Sequence, residues 1–241
     1  MSIFSQHSRF FGKRQRALCS LVRSRGFTLI ELLVVGAIII IVTSLFLVRQ
    51  SSFDSSTVLR SLAYSVALSM RQAQVYGISV SGVGTAQASC PNGSYANGTC
   101  YAPAYGLYFT ASPNTIYILF ADFNNNGRYD TGEDVQAFTL NNAYKVSEIC
   151  AIKSAQLGST KHCSGTHDTS GNPISTLSVI FRRPNPDACI STDKDPGVCG
   201  PSVPQVFSGG YIQITSAGGT TRSVTVSNTG AIVVQAPNTS P

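Results

Sequence analysis

The 241-residue chain contains no tryptophan, two methionines and three histidines, and only 12% of its residues are charged. Two of the histidines, His162 and His167, lie beyond residue 26, and no Ser, His and acid set has motif support there. The chain therefore lacks the usual groups for nucleophilic or acid-base catalysis, and it reads as a non-enzyme. No Cys-x-x-Cys pair occurs, so a zinc reading of Cys163 with His162 and His167 has no second pair to complete it. Acidic residues are missing from 1–26, a segment that holds six of the 17 Lys and Arg residues. The remainder carries 11 bases against 11 acids, so the sequence pI near 9.0 belongs to the N-terminal segment. Those totals give no support to a basic nucleic-acid surface. Charge is also absent from Leu32 to Val48, and this absence organises the chain.

Residues 25–48 read Arg-Gly-Phe-Thr-Leu-Ile-Glu-Leu-Leu-Val-Val-Gly-Ala-Ile-Ile-Ile-Ile-Val-Thr-Ser-Leu-Phe-Leu-Val. As a helix rising about 1.5 Å per residue, this run is long enough to cross a hydrocarbon core of about 30 Å. Glu31 interrupts it, and an ionised side chain among membrane residues costs about 3 kcal/mol unless something pairs with it. Such a cost points to a function. Arg23, Ser24, Arg25 and Gly26 form a basic flank ending in a small residue, which is the chemistry of a leader with a cleavage point. The basic flank stays cytoplasmic and sends the C-terminal bulk across the membrane. An ordinary secretory signal is cut after its apolar run, whereas here the small residue precedes the run and leaves it on the mature chain.

The run Gly26-Phe27-Thr28-Leu29-Ile30-Glu31-Leu32-Leu33-Val34-Val35, followed by the apolar helix, resembles the type IV filament prepilins. The resemblance implies that a membrane-embedded prepilin peptidase cuts between Gly26 and Phe27 and methylates the new amine of Phe27. It implies that Glu31 pairs with the N-terminal amine of a neighbouring subunit during assembly. The implied setting is the bacterial inner membrane, crossed once, with a periplasmic C-terminal domain that later joins a periplasmic pseudopilus or a surface pilus. The implied partners are other pilins or pseudopilins, the inner-membrane assembly platform and membrane lipid.

The expected organisation has three parts: a cleaved leader over 1–26, a pilin helix over 27–77 and an exported β-rich domain over 78–241. Within the helix, 27–48 spans the membrane and 49–77 is amphipathic, because Leu59, Leu62, Val66, Met70 and Ala73 recur at three- and four-residue steps. Ser51 to Ser56 either caps a second helix or bends one long helix, and Gly77 is a stop. The fold class is α+β, a long N-terminal hydrophobic helix packed on a C-terminal antiparallel β-sheet domain stapled by disulfides. Six cysteines fall in the exported part, in near pairs that bracket loops. The simplest connectivity is Cys90 to Cys100, Cys150 to Cys163 and Cys189 to Cys199, among the fifteen that six cysteines allow, and it implies an oxidising compartment.

Strands are expected over 107–110, 115–121, 135–140, 175–182, 210–215, 221–226 and 231–235, where β-branched and aromatic residues alternate between turn-forming clusters. The runs at 210–215 and 221–226, joined through Ala217-Gly218-Gly219, read as a hairpin. Residues 183–208, rich in proline, read as a stapled loop. Three short motifs carry a second resemblance, to H-type minor pseudopilins and FimT/FimU-like minor pilins. They are Arg71-Gln72-Ala73-Gln74-Val75-Tyr76-Gly77, Ala104-Tyr105-Gly106-Leu107-Tyr108-Phe109 and Val224-Thr225-Val226-Ser227-Asn228-Thr229-Gly230. Some FimT-like pilins follow that last glycine with a basic Gly-Arg-x-Arg tail that contacts DNA, but here it is followed by Ala231-Ile232-Val233. The resemblance implies a minor pilin or minor pseudopilin, a subunit near the filament tip. The rival readings are a tip binding module for adhesion or DNA uptake and an anchored periplasmic domain that never polymerises.

Asp122-Phe123-Asn124-Asn125-Asn126-Gly127-Arg128-Tyr129-Asp130-Thr131-Gly132-Glu133 places oxygen donors at loop positions 1, 3, 5, 9 and 12 and glycine at position 6. This is the spacing of an EF-hand calcium loop. Asp122, Asn124, Asn126, the Arg128 carbonyl, Asp130 and Glu133 would supply the hard oxygens for Ca2+. The flanks read as strands, so the loop belongs to a sheet. The alternative is an Asn-Gly hairpin turn with solvated acids.

Overall fold

The computed structural model describes residues 26–79, 82–84, 95–96, 99–101, 103–111, 114–140, 143–155, 158–195 and 206–235, with backbone alone for 48–54, 82–101 and 154–159. Residues 1–25, Cys90, Cys199, the Cys100 side chain and the tail from Ala236 lie outside this description. The chain divides into two compact units, Met1–Val48 and Arg49–Pro241.

One helix, α1, spans Leu29–Ile78. Thr28 caps it. Its Oγ1 accepts the Glu31 N–H at 3.3 Å and donates to the Glu31 carboxylate at 3.4 Å, so residues 28–31 form a Thr-x-x-Glu box. In the first unit, Leu29–Leu47 has a mean hydropathy of 2.8 and none of it is buried, which makes it long and apolar enough to cross a membrane. Its two hydroxyls are satisfied within the helix, Thr43 on the Ile39 carbonyl at 2.7 Å and Ser44 on the Ile41 carbonyl at 2.8 Å. The polar cluster Ser51–Ser56 does not start a second helix, and the backbone stays helical through it.

The second unit is built on antiparallel sheets. Its strands are β1 (Gly82–Gly84), β2 (Tyr95–Ala96), β3 (Thr99–Tyr101), β4 (Ala104–Thr110), β5 (Ile116–Asp122), β6 (Asp134–Thr139) and β7 (Tyr144–Ala155). Then come β8 (Gly158–Cys163), β9 (Thr176–Phe181), β10 (Ala188–Thr192), β11 (Gly209–Ser216), β12 (Thr221–Ser227) and β13 (Ile232–Gln235). They form a small sheet in the order β1-β3-β2 and two five-stranded sheets, β10-β9-β4-β5-β6 and β13-β12-β11-β7-β8. The expected antiparallel β domain is therefore two main sheets, and α1 packs its Leu59, Ala63, Val66, Met70 and Ala73 stripe into the core they share. Leu107, Phe109, Leu119, Val179 and Phe181 face that core from the first sheet, and Ile149, Ile212, Ile214 and Val224 from the second. Ser69, buried on the helix, lies 3.2 Å from the Tyr117 hydroxyl, so the polar group at this contact is satisfied.

Two sequence expectations need correction. Residues 183–208 are not simply a stapled loop, because β10 within them is buried along its whole length and pairs with β9 in register, Cys189 opposite Ile180. The longest strand, β7, was not expected at all. Its inward residues are Tyr144, Val146, Ile149 and Ala151. The register against β11 slips between Gln213 and Ile214 and leaves Ser147 without an opposite residue. A bulge therefore breaks the two-residue period by which strands are recognised.

The first sheet ends at β6, which is exposed along nearly its whole length. Its register against β5 shifts between Leu119 and Phe120, so Val135 has no opposite residue.

Candidate functional site: the Asp122–Glu133 loop and its neighbours

The expected calcium loop is the connection between β5 and β6. Asp122 ends β5 with its carboxylate fully buried, and Glu133, 5% exposed, immediately precedes β6. Asp122 accepts the N–H groups of Asn126 and Gly127, each at 3.0 Å, one on each oxygen. Glu133 accepts Phe123 N–H at 3.0 Å on Oε1 and Asp130 N–H at 2.9 Å on Oε2. The side-chain oxygens of Asn124 and Asn126 accept the N–H groups two residues on, at 2.9 and 2.8 Å. Both amides donate to Asp130 Oδ2 at 2.6 Å. Gly127 has a φ of 76°, in the left-handed region that the sharp turn requires, and Asn125 has a φ of 60°.

The loop lies over the outer face of the first sheet. Tyr129 packs against Tyr108 and Phe120 with ring centroids 4.7 and 5.7 Å apart, and the Ser191 hydroxyl of β10 donates to the Gly127 carbonyl. Arg182 Nη2 stands 3.8 Å from Asp122 Oδ2. Sequence reasoning missed Arg182 because it stands just past the end of β9, whose pairing with β4 brings residues distant in sequence side by side.

Burial raises the Asp122 carboxyl above its ordinary range, against the opposing pull of the Gly127 amide and the Arg182 guanidinium. Burial also raises Glu133 to about 7, with the Asp122 charge adding to the effect. The donor chemistry suits a hard cation, because Asp122, Asn124, Asn126, Asp130 and Glu133 keep oxygen lone pairs beyond those used on backbone N–H groups. The carboxylates of Asp122, Asp130 and Glu133 do not all three lie within 4.8 Å of one another. Among the described residues only Glu148, Cys150 and Cys163 form such a trio.

The residues singled out at the N-terminus are solvent-facing. Phe27 is 78% exposed, and nothing lies within 4 Å of where a side chain on Gly26 would begin. The Glu31 carboxylate has the Thr28 hydroxyl as its partner.

Of the expected disulfides, Cys150–Cys163 is present and joins directly opposed residues of β7 and β8. Cys189 is also disulfide-bonded, to a residue outside the description. The pairing of Cys90 with Cys100 falls outside it too. Of the two histidines beside Cys163 in the sequence, His162 packs edge-on against Phe207, while His167 turns to Glu148.

No family model, no curated protein and no solved structure matches the chain.

Proposed function

We propose that the chain is a minor pilin or minor pseudopilin, a non-enzymatic subunit of a type II secretion pseudopilus or a type IV pilus. The observation that carries this reading is Glu31, an acid in the first turn of α1 and the one charged residue of the Leu29–Leu47 span fit to cross a membrane, with the neighbouring Thr28 as its only partner among the described residues. An acid so placed gains most from a cationic group supplied by another molecule, and the methylated amine of a neighbouring Phe27 is such a group. Gly26 supports the same reading. Among the described residues no packing demand explains a glycine there, whereas a peptidase that requires a small residue would explain it.

Intact-mass analysis of the membrane-extracted protein tests the proposal. The expected species begins at Phe27 and is heavier by one methyl group than the cut chain. A species that keeps Arg25 and Gly26 overturns it.

A second reading concerns the Asp122–Glu133 loop, for which we propose calcium as the ligand. Two buried carboxylates with one guanidinium at 3.8 Å favour it, because burying acids without full compensation is costly and a divalent cation supplies the missing charge. The loop would then be locked in place on the outer face of the first sheet. Isothermal titration of the chelator-treated protein should show calcium binding. Absence of heat at millimolar calcium overturns this second reading and leaves the first intact.

A further inference from the structure

On the outer face of the second sheet a carboxylate is buried against two sulfurs. Glu148 of β7 is 4% exposed, and a carboxylate oxygen, Cys150 Sγ and Cys163 Sγ all lie within 4.8 Å of one another. Among the described residues the only basic side chain within ion-pair distance of Glu148 is His167, whose Nδ1 lies 2.5 Å from Oε2. The His167 backbone N–H donates to Oε1 at 2.9 Å. Gly165 leaves the space that the carboxylate fills, since a Cβ there would stand 2.8 Å from Oε1. Asp168 holds the same loop in place by accepting the N–H groups of Cys163 at 3.0 Å and Gly171 at 2.9 Å. The fold thus builds a cradle for an acid beside a disulfide, a neighbour that does nothing to offset the cost of burying it.

We propose that this cluster is a zinc site of the reduced chain, in which Cys150, Cys163, Glu148 and His167 hold one Zn2+. The disulfide and the metal are then two chemical states of the same staple between β7 and β8. Two thiolates and a carboxylate are ligands of the kinds zinc takes, at about 2.0–2.3 Å, and the imidazole of His167, which stands outside this trio against Glu148, completes a tetrahedral set by a movement of its half-exposed side chain. Cys150 and Cys163 are opposed in register with Cα atoms 4.0 Å apart, so two thiolates can share a metal with little backbone movement. Glu148 Oε2 and His167 Nδ1 already lie within hydrogen-bond distance, and zinc would bridge the two atoms in place of that contact. Entry is past His167, whose side chain is 46% exposed.

The chemistry balances with an external dithiol as reductant. The dithiol gives two electrons and two protons to the Cys150–Cys163 bond and closes to its own disulfide. Zinc binding then expels the two thiol protons and any proton held at the histidine or carboxylate atom that it takes. Loss of zinc followed by transfer of a disulfide from an oxidant restores the bond.

The test uses the full chain in detergent micelles, reduced with a phosphine, freed of it without air, and alkylated with iodoacetamide with or without Zn2+. Peptide mass spectrometry reads each cysteine separately. We expect zinc to slow alkylation of Cys150 and Cys163 about tenfold or more and to leave Cys90, Cys100, Cys189 and Cys199 unprotected. In Glu148→Gln and in His167→Ala the zinc concentration that protects should rise about tenfold or more. Equal alkylation with and without zinc overturns the proposal, including the case in which the reduced strands no longer hold together. Protection undiminished in either variant also overturns it, because the four-ligand set would then be wrong.

Discussion

The side-chain amide of Gln74 on α1 donates to the carbonyl of Gly230, 156 residues later, at 3.2 Å, and to the carbonyl of Pro186 at 2.9 Å. Arg71 fixes the orientation of that amide by donating to its oxygen at 2.7 Å. Gly77, one turn on, comes so close to β9 that a Cβ would lie 2.3 Å from the Phe181 carbonyl. Two short motifs that sit far apart in the sequence, 71–77 and 224–230, are therefore one contact. The end of the helix docks where the turn between β12 and β13 meets the approach to β10.

Gly230 should tolerate no side chain. Its φ is 79° and a Cβ would lie 2.1 Å from the Pro186 carbonyl. Gly230→Ala is expected to destabilise the fold by about 1–3 kcal/mol from the left-handed backbone alone, with the clash adding to it. Gln74→Ala leaves buried carbonyls unmet and should cost about 1–3 kcal/mol. Denaturant midpoints of the two variants check both, and a Gly230→Ala midpoint equal to wild type contradicts the assigned contact.

Replacing Cys150 and Cys163 together by serine removes a staple from the longest strand. The expected loss is about 2–5 kcal/mol, read in the same denaturation experiment under oxidising conditions. The loss should vanish when wild type and variant are compared after reduction in a chelating buffer.

Stability should fall with rising pH through the range set by Glu133. Its carboxyl is held up to about 7 in the fold, against about 4.3 for an unfolded glutamate, so between these values the folded chain binds more protons than the unfolded one. The stabilisation is fully present below the unfolded value and is lost as pH rises through about 7. In chelating buffer, the denaturant midpoint of wild type should drop more between about pH 5 and about pH 8 than that of Glu133→Gln. Parallel pH profiles would show that Glu133 does not carry the effect.

Glu31→Gln should separate folding from assembly. The side chain is exposed and, among the described residues, meets only Thr28, so the second unit should unfold at the wild-type midpoint, while on the proposed function co-purification with pilins or pseudopilins is lost. Retained co-purification would contradict the assembly role proposed for Glu31.

Much of this architecture was legible because its signals are local. The apolar span needs only composition, the Leu59 to Ala73 stripe needs only a 3.6-residue period, and the hairpin of β11 and β12 alternates cleanly around Gly219, whose φ is 79°. The Asp122–Glu133 loop was legible in its spacing. Its setting was not, because Arg182 and Ser191 reach it from strands that sheet pairing alone brings near. β7 was hidden by the bulge at Ser147, and β10 by the prolines around it. The partnership of Glu148 with His167 has no sequence signature, since the bulge decides which face of β7 carries the acid.

The outer strand of the first sheet has a further consequence. An exposed strand edge offers unpaired backbone groups on which a second copy of the chain could add a strand, in register, without limit. β6 interrupts that template with the unpartnered Val135, and it begins with the exposed acid Asp134. Copies brought side by side would find a crooked and charged seam there instead of a straight ladder. The bulge and the charge together blunt the exposed edge of the first sheet against open-ended strand addition.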